Sequence, residues 1–240
     1  MGSTSSYGSR GPLNINSDEK NIMPLSEKQA QWLHNMRSEW FKVMGTSESA
    51  TSQMTFSALP PLDSRHTEKA RLLPSRTQLL HLLPKGGAVA EIGTHKGRSA
   101  KEIWDITQPL ELHLFDLTFR EFVPWDLSNT PGRLILHEGD SSSSMEILPD
   151  GYFAWIFIDG NHSLEGVRRD VRCATRKVVH DGYLVFNDYI YWSYLDQFPY
   201  GVAHAVHELC LNDGWEIVYL VLQEHMYCDI VIRRMGEHSM

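Results

Sequence analysis

The sequence has few cysteines, no long apolar run and fewer basic than acidic residues. Its three cysteines (Cys173, Cys210 and Cys228) are too few and too scattered for a disulfide framework or a cysteine-rich zinc site. The 30 Asp and Glu residues outnumber the 22 Lys and Arg residues, and this balance argues against binding to nucleic acid or to an anionic membrane surface. The apolar runs are strand-sized and the first residues lack a signal-peptide pattern. We therefore expect a cytoplasmic protein without nucleic-acid or membrane partners.

A chain of 240 residues, 42% of them hydrophobic, is long enough for one domain with an extra arm. Residues 1–24 are rich in Ser, Gly and Asn and are predicted to form a disordered tail. Residues 25–62 are predicted to form an N-terminal helical arm, and residues 63–240 the main domain. Ser26 and Gln29 form a capping-box pattern ahead of an apolar helical stripe. We expect this arm to pack on the main domain or on a partner subunit of a homo-oligomer.

From Gly87 onward, short apolar runs alternate with helical patterns. The runs are apolar on both faces, which predicts parallel strands covered by helices on both sides. A stripe from Leu164 to Val178 predicts one such helix, and the short link 223–226 requires the last two strands to be antiparallel neighbours. We therefore predict a doubly wound, Rossmann-like α/β sheet of seven strands whose last strand is antiparallel. The predicted strands are Ala88–Ile92, Glu111–Phe115, Leu134–His137, Phe153–Ile158, Tyr183–Phe186, Glu216–Leu222 and Tyr227–Ile232.

A glycine-containing turn follows the first of these strands. Gly93 and Gly97 allow a tight turn and a close approach of the backbone to a ligand, but their spacing matches neither a P-loop nor the dinucleotide fingerprint. The carboxylate of Glu91 suits a ligand that carries a positive charge, and S-adenosylmethionine carries an ammonium and a sulfonium group. We predict that Glu91, Gly93, Gly97 and Ser99 bind this cofactor. A structural turn with chance glycines is the alternative.

Polar residues also end the next two strands. Asp116 closes the second strand, where a carboxylate can accept hydrogen bonds from both ribose hydroxyls. Asp140 and Ser141 follow the third strand and are predicted to hold the adenine edge. Capping of the helices that follow is the alternative for all three residues. Ligands of open α/β sheets bind at the carboxyl ends of the strands, where these residues converge with Asp159.

The fourth and fifth strands end in oxygen donors. Asp159 follows the fourth strand, and Asn187 and Asp188 follow the fifth. If the two strand ends are adjacent, all three side chains reach one small volume, and hard oxygen donors are what Mg²⁺ or another hard divalent cation requires. We predict a metal site there, with helix capping by the two aspartates as the alternative. Asp159 is assigned to the cofactor site as well.

His162 lies three residues after Asp159, in the loop that leaves the strand. Its imidazole titrates near neutral pH, so it is predicted to be the catalytic general base; a structural role at the start of the next helix is the alternative. An aromatic-rich segment, 189–200, follows the proposed metal ligands. It is suited to stack on a sugar or aromatic acceptor, or simply to pack a lid onto the sheet.

The run from Ala90 to Asp188 resembles the class I S-adenosylmethionine-dependent methyltransferases. More narrowly, Ile-Asp-Gly-Asn-His-Ser-Leu-Glu-Gly-Val-x-x-Asp (158–170), the later Asn-Asp-Tyr and Gly-Val-Ala-His-Ala-Val (201–206) resemble the macrocin-type O-methyltransferase and cephalosporin-hydroxylase-like family. The resemblance implies that Asp159 and Asp188 bind Mg²⁺ and that His162 is the base. Asn187 departs from the family, whose macrocin-type members tend to carry Glu there; catechol O-methyltransferases also use an Asn in their metal set.

These observations predict a Mg²⁺-assisted, S-adenosylmethionine-dependent O-methyltransferase that acts on a small-molecule hydroxyl, such as a sugar of a glycosylated natural product. One alternative is a catechol- or phenol-type O-methyltransferase, and another is a protein that binds the cofactor without catalysis. A Rossmann oxidoreductase would need a tighter glycine motif and no antiparallel last strand.

Overall fold

The computed structural model describes residues 26–44, 59–128, 131–196 and 198–236. It divides into two compact units, residues 1–58 and residues 59–240. In the first unit, the Ser26 N–H donates to Oε1 of Gln29 at 2.9 Å and the Gln29 N–H donates to Oγ of Ser26 at 3.3 Å, so the predicted capping box is formed. The helix that it opens is α1 (Glu27–Met44). The predicted tail lies outside the described residues, and a role of the arm in a homo-oligomer stays a prediction.

The second unit alternates strands and helices along the chain, as the sequence pattern predicts. Its described helices are α2 (Arg76–Leu82), α3 (Arg98–Thr107), α4 (Ser141–Glu146), α5 (Leu164–Lys177) and α6 (Val202–Asp213), while α1 of the first unit is Glu27–Met44. Its described strands are β1 (Arg71–Leu73), β2 (Ala88–Ile92), β3 (Glu111–Asp116), β4 (Arg133–Glu138), β5 (Phe153–Ile158), β6 (Val178–Phe186), β7 (Trp192–Ser193), β8 (Phe198–Pro199), β9 (Trp215–Leu222) and β10 (Cys228–Arg234).

The main sheet has the order β1-β9-β10-β6-β5-β2-β3-β4. All neighbouring pairs are parallel except β10 with β6 and β10 with β9, so the predicted doubly wound sheet with an antiparallel last strand is confirmed. The predicted number of seven strands is wrong, because β1 adds an eighth strand at the edge beside β9. This strand has three residues, of which only Leu73 is buried. It is too short for a period-two pattern to be visible in the sequence.

Several predicted boundaries also move, and the clearest case is the junction between α5 and β6. Val178 was predicted to continue the helical stripe, but α5 ends at Lys177 and Val178 begins β6, opposite Phe153 of β5. An apolar residue at this junction satisfies both the helical and the strand pattern, so periodicity does not locate the boundary.

Alternating side chains of the strands fill two apolar layers, one on each face of the sheet. On one face, residues such as Ile92 and Ile158 pack with Val167 of α5 and Val206 of α6. The core of the other face is formed by residues of the strands, α2 and α3: Val89, Leu112, Leu114, Trp155, Phe157, Val185, Leu79, Leu80, Ile103 and Trp104. Helices on both faces are what a mostly parallel sheet requires, and they hold the strand ends rigidly in register.

The chain runs from β2 outward through β3 and β4 and then crosses back to place β5 on the other side of β2. This reversal creates a topological switch point between β2 and β5, and ligands of open α/β sheets bind in the crevice that such a point leaves at the carboxyl ends of the strands. Among the helices described, none is both long and apolar enough to span a bilayer.

Candidate active site

Backbone hydrogen bonds continue the parallel ladder beyond the strands and bring the strand ends together. The Gly93 N–H donates to the carbonyl of Phe115 at 2.8 Å, and the Asp159 N–H donates to the carbonyl of Ile92 at 2.8 Å. The Asn187 N–H in turn donates to the carbonyl of Ile158 at 3.0 Å. The ends of β2, β3, β5 and β6 are therefore held side by side, as the sequence argument requires.

The two glycines of the turn after β2 are both required by close packing. Gly93 has φ +87°, and a Cβ there would lie 2.0 Å from the carbonyl oxygen of Asp159. Gly97 has φ +79° and caps α3, and a Cβ there would lie 2.6 Å from the ring of Phe122. Side chains at either position would push the turn away from its neighbours. The expected tight turn is therefore present, and a close approach of its backbone to a ligand stays a prediction.

A cavity of about 430 Å³ opens beside this turn at the switch point. Of the residues assigned to the cofactor from the sequence, five line it: Gly93, Asp116, Asp140, Ser141 and Asp159. A smaller cavity of about 250 Å³ lies next to it and is lined by Thr94, Lys96, Arg98 and Ser99. Gly93, His95 and Asp159 line both cavities, so the two spaces meet at these residues.

Asp116 is fixed by the turn that it faces. Its Oδ2 accepts the His95 N–H at 2.6 Å, and its Oδ1 accepts the Thr118 N–H at 3.2 Å. Each carboxylate oxygen keeps a further lone pair, so Asp116 can still accept hydrogen bonds from a ligand in the main cavity. The carboxylate is thus oriented before any ligand arrives.

Asp140 and Ser141 line the main cavity but also have structural partners. Asp140 caps α4, because its Oδ1 accepts the Ser143 N–H at 2.9 Å, and this bond lowers the pKa of the Asp140 carboxyl. The Ser141 hydroxyl donates to Oδ1 of Asp170 at 2.6 Å. The capping alternative is therefore realised for Asp140, while both residues remain positioned to contact a ligand.

Glu91 is buried beside the cavities and lines neither of them. Alternation along β2 puts Glu91 on the same face as Val89, which packs with α2 and α3. Burial raises the pKa of the Glu91 carboxyl well above its usual value, and the Asp159 carboxylate raises it further. Gly97 also lies outside the two cavity linings. Contact of Glu91 or Gly97 with a cofactor stays a prediction.

Asp159, Asp188 and His162 form a compact group at the ends of β5 and β6. The His162 Nε2 lies 3.4 Å from Oδ1 of Asp159 and 3.9 Å from Oδ2 of Asp188. Burial raises the pKa of Asp188 to about 6; His162 opposes this rise and the Asp159 carboxylate adds to it. Burial lowers the pKa of His162, but the two carboxylates outweigh it and raise the pKa overall. Asp188 has φ +54°, an uncommon backbone conformation that recurs at functional sites.

Asn187 lies between two charged side chains. Its Oδ1 accepts a hydrogen bond from Nη2 of Arg76 at 2.6 Å, and its Nδ2 donates to Oδ1 of Asp159 at 2.7 Å. Arg76 also pairs with Asp229 of β10, with 2.9 Å between Nε and Oδ2. Sequence reasoning brought Asp159, Asn187, Asp188 and His162 together correctly as neighbours, but it did not anticipate what Asn187 contacts.

Among the polar residues of the site that were not found from the sequence are Arg76, Asp229 and Asp170. Arg76 lies in the first turn of α2, where the sequence predicts that a basic side chain is exposed on the surface. Asp229 is a buried carboxylate inside β10, and an acidic residue in an otherwise apolar strand was an available signal. Asp170 lines the main cavity from α5, where burial raises its pKa; its place at the end of the 158–170 motif was the only sign of it.

Residues 90–189 match the family model described as a methyltransferase domain. No curated protein matches the sequence. The match spans 100 of the 240 residues and indicates that residues 90–189 form a methyltransferase domain.

Solved structures of methyltransferases are similar to this chain at low identity. An S-adenosylmethionine-dependent methyltransferase of Methanosarcina mazei is 12% identical over 69% of this chain and 100% of its own, with a TM-score of 0.50. A 1,6-didemethyltoxoflavin methyltransferase of Burkholderia thailandensis is 12% identical over 89% of this chain and 93% of its own, with a TM-score of 0.47. The mycinamycin-pathway methyltransferase MycE, solved with Mg, S-adenosylhomocysteine and mycinamycin VI, is 16% identical over 83% of this chain, with a TM-score of 0.45. This chain covers 64% of MycE, just under two thirds of its length.

Proposed function

We propose that this methyltransferase transfers the methyl group of S-adenosylmethionine to a hydroxyl oxygen of a small molecule, with His162 as the base and with Mg²⁺ or another hard divalent cation at Asp159 and Asp188. The observation that carries the proposal is the group formed by His162 and the two carboxylates. The His162 Nε2 lies 3.4 Å from Oδ1 of Asp159 and 3.9 Å from Oδ2 of Asp188, and Asp159 lines both cavities.

The main cavity supports a nucleoside-bearing cofactor. Asp116 is held with both oxygens oriented by backbone N–H groups, which suits recognition of two ribose hydroxyls. Asp140 and Ser141 lie along the same cavity, where the adenine would contact them. The smaller cavity, with Ser99 at the start of α3, continues past Asp159 and suits the amino-acid end of the cofactor. The acidic lining at Asp116 and Asp159 favours a ligand with a sulfonium charge.

The carboxylates of Asp159 and Asp188 fit a hard divalent cation. Mg²⁺ in proteins is commonly bound by one or two carboxylates, with its other positions filled by water and substrate oxygens. In the described part of the chain no group of three or more His, Cys, Asp or Glu side chains is arranged to hold a metal, and the cation we propose would have these two carboxylates as its protein ligands. A bound cation would lower the pKa of an acceptor hydroxyl and orient it.

His162 is suited to remove the proton of that hydroxyl. Its buried Nε2 has no hydrogen-bond partner among the described residues and lies 3.4 Å from Oδ1 of Asp159, and the ring of Tyr200 lies flat against the imidazole. A base held within reach of the reacting oxygen, in water-restricted surroundings, increases the rate by about 10²- to 10⁴-fold.

Exposed aromatic rings support an acceptor with a flat or ring-shaped body. Tyr191 and Tyr194 follow Asp188 along the chain and remain 41% and 44% exposed. Such rings stack equally well on the apolar face of a sugar and on a catechol ring. A sugar hydroxyl is our first candidate and a catechol-type phenol the second.

The test is a transfer assay with S-adenosylmethionine labelled in its methyl group, run on purified protein with Mg²⁺ or with EDTA against sugar-bearing and catechol acceptors. We expect label to appear in one acceptor class, and only when Mg²⁺ is present. Equal transfer in EDTA would remove the metal from the proposal. Calorimetric binding of the cofactor without transfer to any acceptor would favour a protein that binds S-adenosylmethionine without catalysis.

A further inference from the structure

We propose that Asn187 is a hydrogen-bond partner of Asp159 rather than a metal ligand: Arg76 holds its carboxamide so that the amide nitrogen faces Asp159. The structure thereby assigns the cation site two protein carboxylates, Asp159 and Asp188, and no third oxygen donor from β6. This inference rests on the proposed function, because it concerns the same site, but it makes a separate prediction about residue 187.

The two neighbours of Asn187 determine which way its amide points. Arg76 is purely a donor, and its Nη2 lies 2.6 Å from the Asn187 Oδ1. Asp159 as a carboxylate is purely an acceptor, and its Oδ1 lies 2.7 Å from the Asn187 Nδ2. The reversed amide would place donor against donor and oxygen against oxygen. The amide nitrogen therefore faces the carboxylate, and a nitrogen that donates in this way has no lone pair for a cation.

Arg76 is itself anchored so that it cannot release the amide easily. Its Nε donates to Oδ2 of Asp229 at 2.9 Å and its Nη2 to Oδ1 at 3.1 Å, and Asp229 is fully buried. Its Nη1 donates to Oγ of Ser99 at 3.1 Å, and its guanidinium lies 4.9 Å from the centre of the Phe157 ring. Moving Arg76 would leave a buried carboxylate without its cation, which proteins avoid.

The geometry also says what a carboxylate at position 187 would do. Aspartate has the shape of asparagine, so Asn187→Asp keeps the bond from Arg76 and puts an oxygen where the amide nitrogen now lies, 2.7 Å from Oδ1 of Asp159. Adjacent ligands of an octahedral Mg²⁺ lie roughly 3 Å apart, because each Mg–O distance is about 2.1 Å. The two oxygens would therefore repel each other without a cation and bind one together. Asparagine has an amide nitrogen at this position and therefore does not provide a third oxygen ligand.

The experiment measures Mn²⁺ affinity by calorimetry on the full chain and on three variants: Asn187→Ala, Asn187→Asp and Asp188→Asn. Mn²⁺ is used as a hard cation that reports the site directly, without turnover. We expect Asn187→Ala to bind within about threefold of the native affinity, Asp188→Asn to lose binding, and Asn187→Asp to bind at least tenfold more tightly. Thermal melting should show a larger stabilisation by Mg²⁺ for Asn187→Asp than for the native chain.

Each outcome separates this inference from the proposed function. Loss of binding in Asn187→Ala equal to that in Asp188→Asn would overturn the inference and leave the metal in place. If the native chain binds Mn²⁺ and Asn187→Asp binds it no more tightly, the inference is overturned too. The side-chain atom at the position of the Asn187 Nδ2 would then not face the cation. If the native chain binds no Mn²⁺ but Asn187→Asp does, the orientation of the Asn187 amide is supported, but the two-carboxylate site and the metal of the proposed function are both overturned. If neither binds, both are overturned.

Discussion

The imidazole of His162 lies parallel to the phenol ring of Tyr200, with 4.4 Å between ring centroids and 8° between ring planes. The backbone of the same histidine is also held, because the Gly201 N–H donates to the His162 carbonyl at 2.8 Å. A Cβ at Gly201 would lie 2.2 Å from Cα of Leu164, so the two segments touch. Two consecutive residues of the segment before α6 thus fix both the ring and the backbone of the proposed base.

Replacing Tyr200 should therefore affect turnover more than binding. Tyr200→Leu removes the ring that holds the imidazole, and since such ring pairs contribute about 0.5–1.5 kcal/mol, we expect kcat to fall roughly three- to tenfold. Tyr200→Phe keeps the ring and should retain most of kcat, although it loses the hydroxyl bond to Asp196. The measurement is kcat and KM for the labelled cofactor. A larger loss in Tyr200→Phe than in Tyr200→Leu would assign the effect to the hydroxyl instead.

Removing the base itself should separate cofactor binding from chemistry. His162 lies outside the residues that line the two cavities, so His162→Ala should leave the dissociation constant for S-adenosylmethionine near its native value. Turnover should fall by about 10²- to 10⁴-fold, the usual contribution of a general base. Calorimetry and single-turnover transfer measure the two quantities on one preparation. Equal losses of affinity and turnover would contradict the role of His162 as a base.

The ribose contact can be tested at Asp116. Asp116→Ala removes the acceptor that faces the main cavity, and we expect cofactor affinity to fall roughly 10- to 100-fold, since hydrogen bonds to a charged group contribute about 1.5–3 kcal/mol. Asp181→Ala is the matched control, because this carboxylate is 98% exposed and lies outside both cavities. Calorimetric titration with S-adenosylhomocysteine measures both. Native affinity in Asp116→Ala would leave Asp116 with a purely structural role in the turn.

Alanine substitutions at Gly86 and Gly93 should differ in their effect on stability as well as on cofactor binding. Gly86 and Gly93 both have positive φ, at +70° and +87°, but a Cβ at Gly86 meets nothing within 4 Å whereas one at Gly93 meets the Asp159 carbonyl at 2.0 Å. Gly86→Ala should cost about 1–2 kcal/mol of unfolding free energy for the backbone conformation alone. Gly93→Ala should cost about 1–3 kcal/mol more, because the strand ends must separate, and should abolish cofactor binding. Urea unfolding of the two variants checks the difference, and equal losses would show that the contact with Asp159 relaxes freely.

The sheet and the convergence of its strand ends could be predicted because they follow from local patterns. Apolar runs followed by a polar residue place Asp116, Asp159 and Asp188 at the carboxyl ends of parallel strands, where one edge collects them. The short link before β10 likewise required an antiparallel pair, and β10 pairs with β9 in that way. Such inferences need only periodicity, chain direction and the length of a connection.

The partners of these residues could not be predicted, because they depend on contacts between distant segments. Nothing near Arg76 in the sequence shows that Asp229 will be buried beside it, or that Asn187 will lie within 2.6 Å of its guanidinium. The same limitation applies to Glu91. Its side chain lies on the face of β2 that packs with α2 and α3, and it is buried there. A residue type at a strand end predicts the place of a side chain, but the rest of the fold determines which of its atoms is free.

A group far from the active site should control stability at low pH. The Tyr152 hydroxyl donates to the Glu111 carboxylate and lowers its pKa more than burial raises it, and together with Arg133 and His113 it brings the pKa of Glu111 to about 2, from 4.5. A depressed pKa in the folded state means that the stabilisation is complete above about pH 4.5 and is lost as the pH falls towards 2.

Glu111→Gln should therefore be less stable than the native chain at pH 7, and the two should converge between pH 4.5 and 2, the range that separates the ordinary and the lowered pKa of Glu111. We expect a difference of roughly 1 kcal/mol at neutral pH, because the guanidinium of Arg133 is largely exposed and water screens its share of the interaction. Glu224→Gln is the control, since that side chain is 95% exposed and its small effect should not change with pH. Urea unfolding at several pH values measures the differences directly. Because every other carboxyl titrates alike in both proteins, a gap between native and Glu111→Gln that stays constant down to pH 2 would mean that the Tyr152 bond does not stabilise the charged carboxylate.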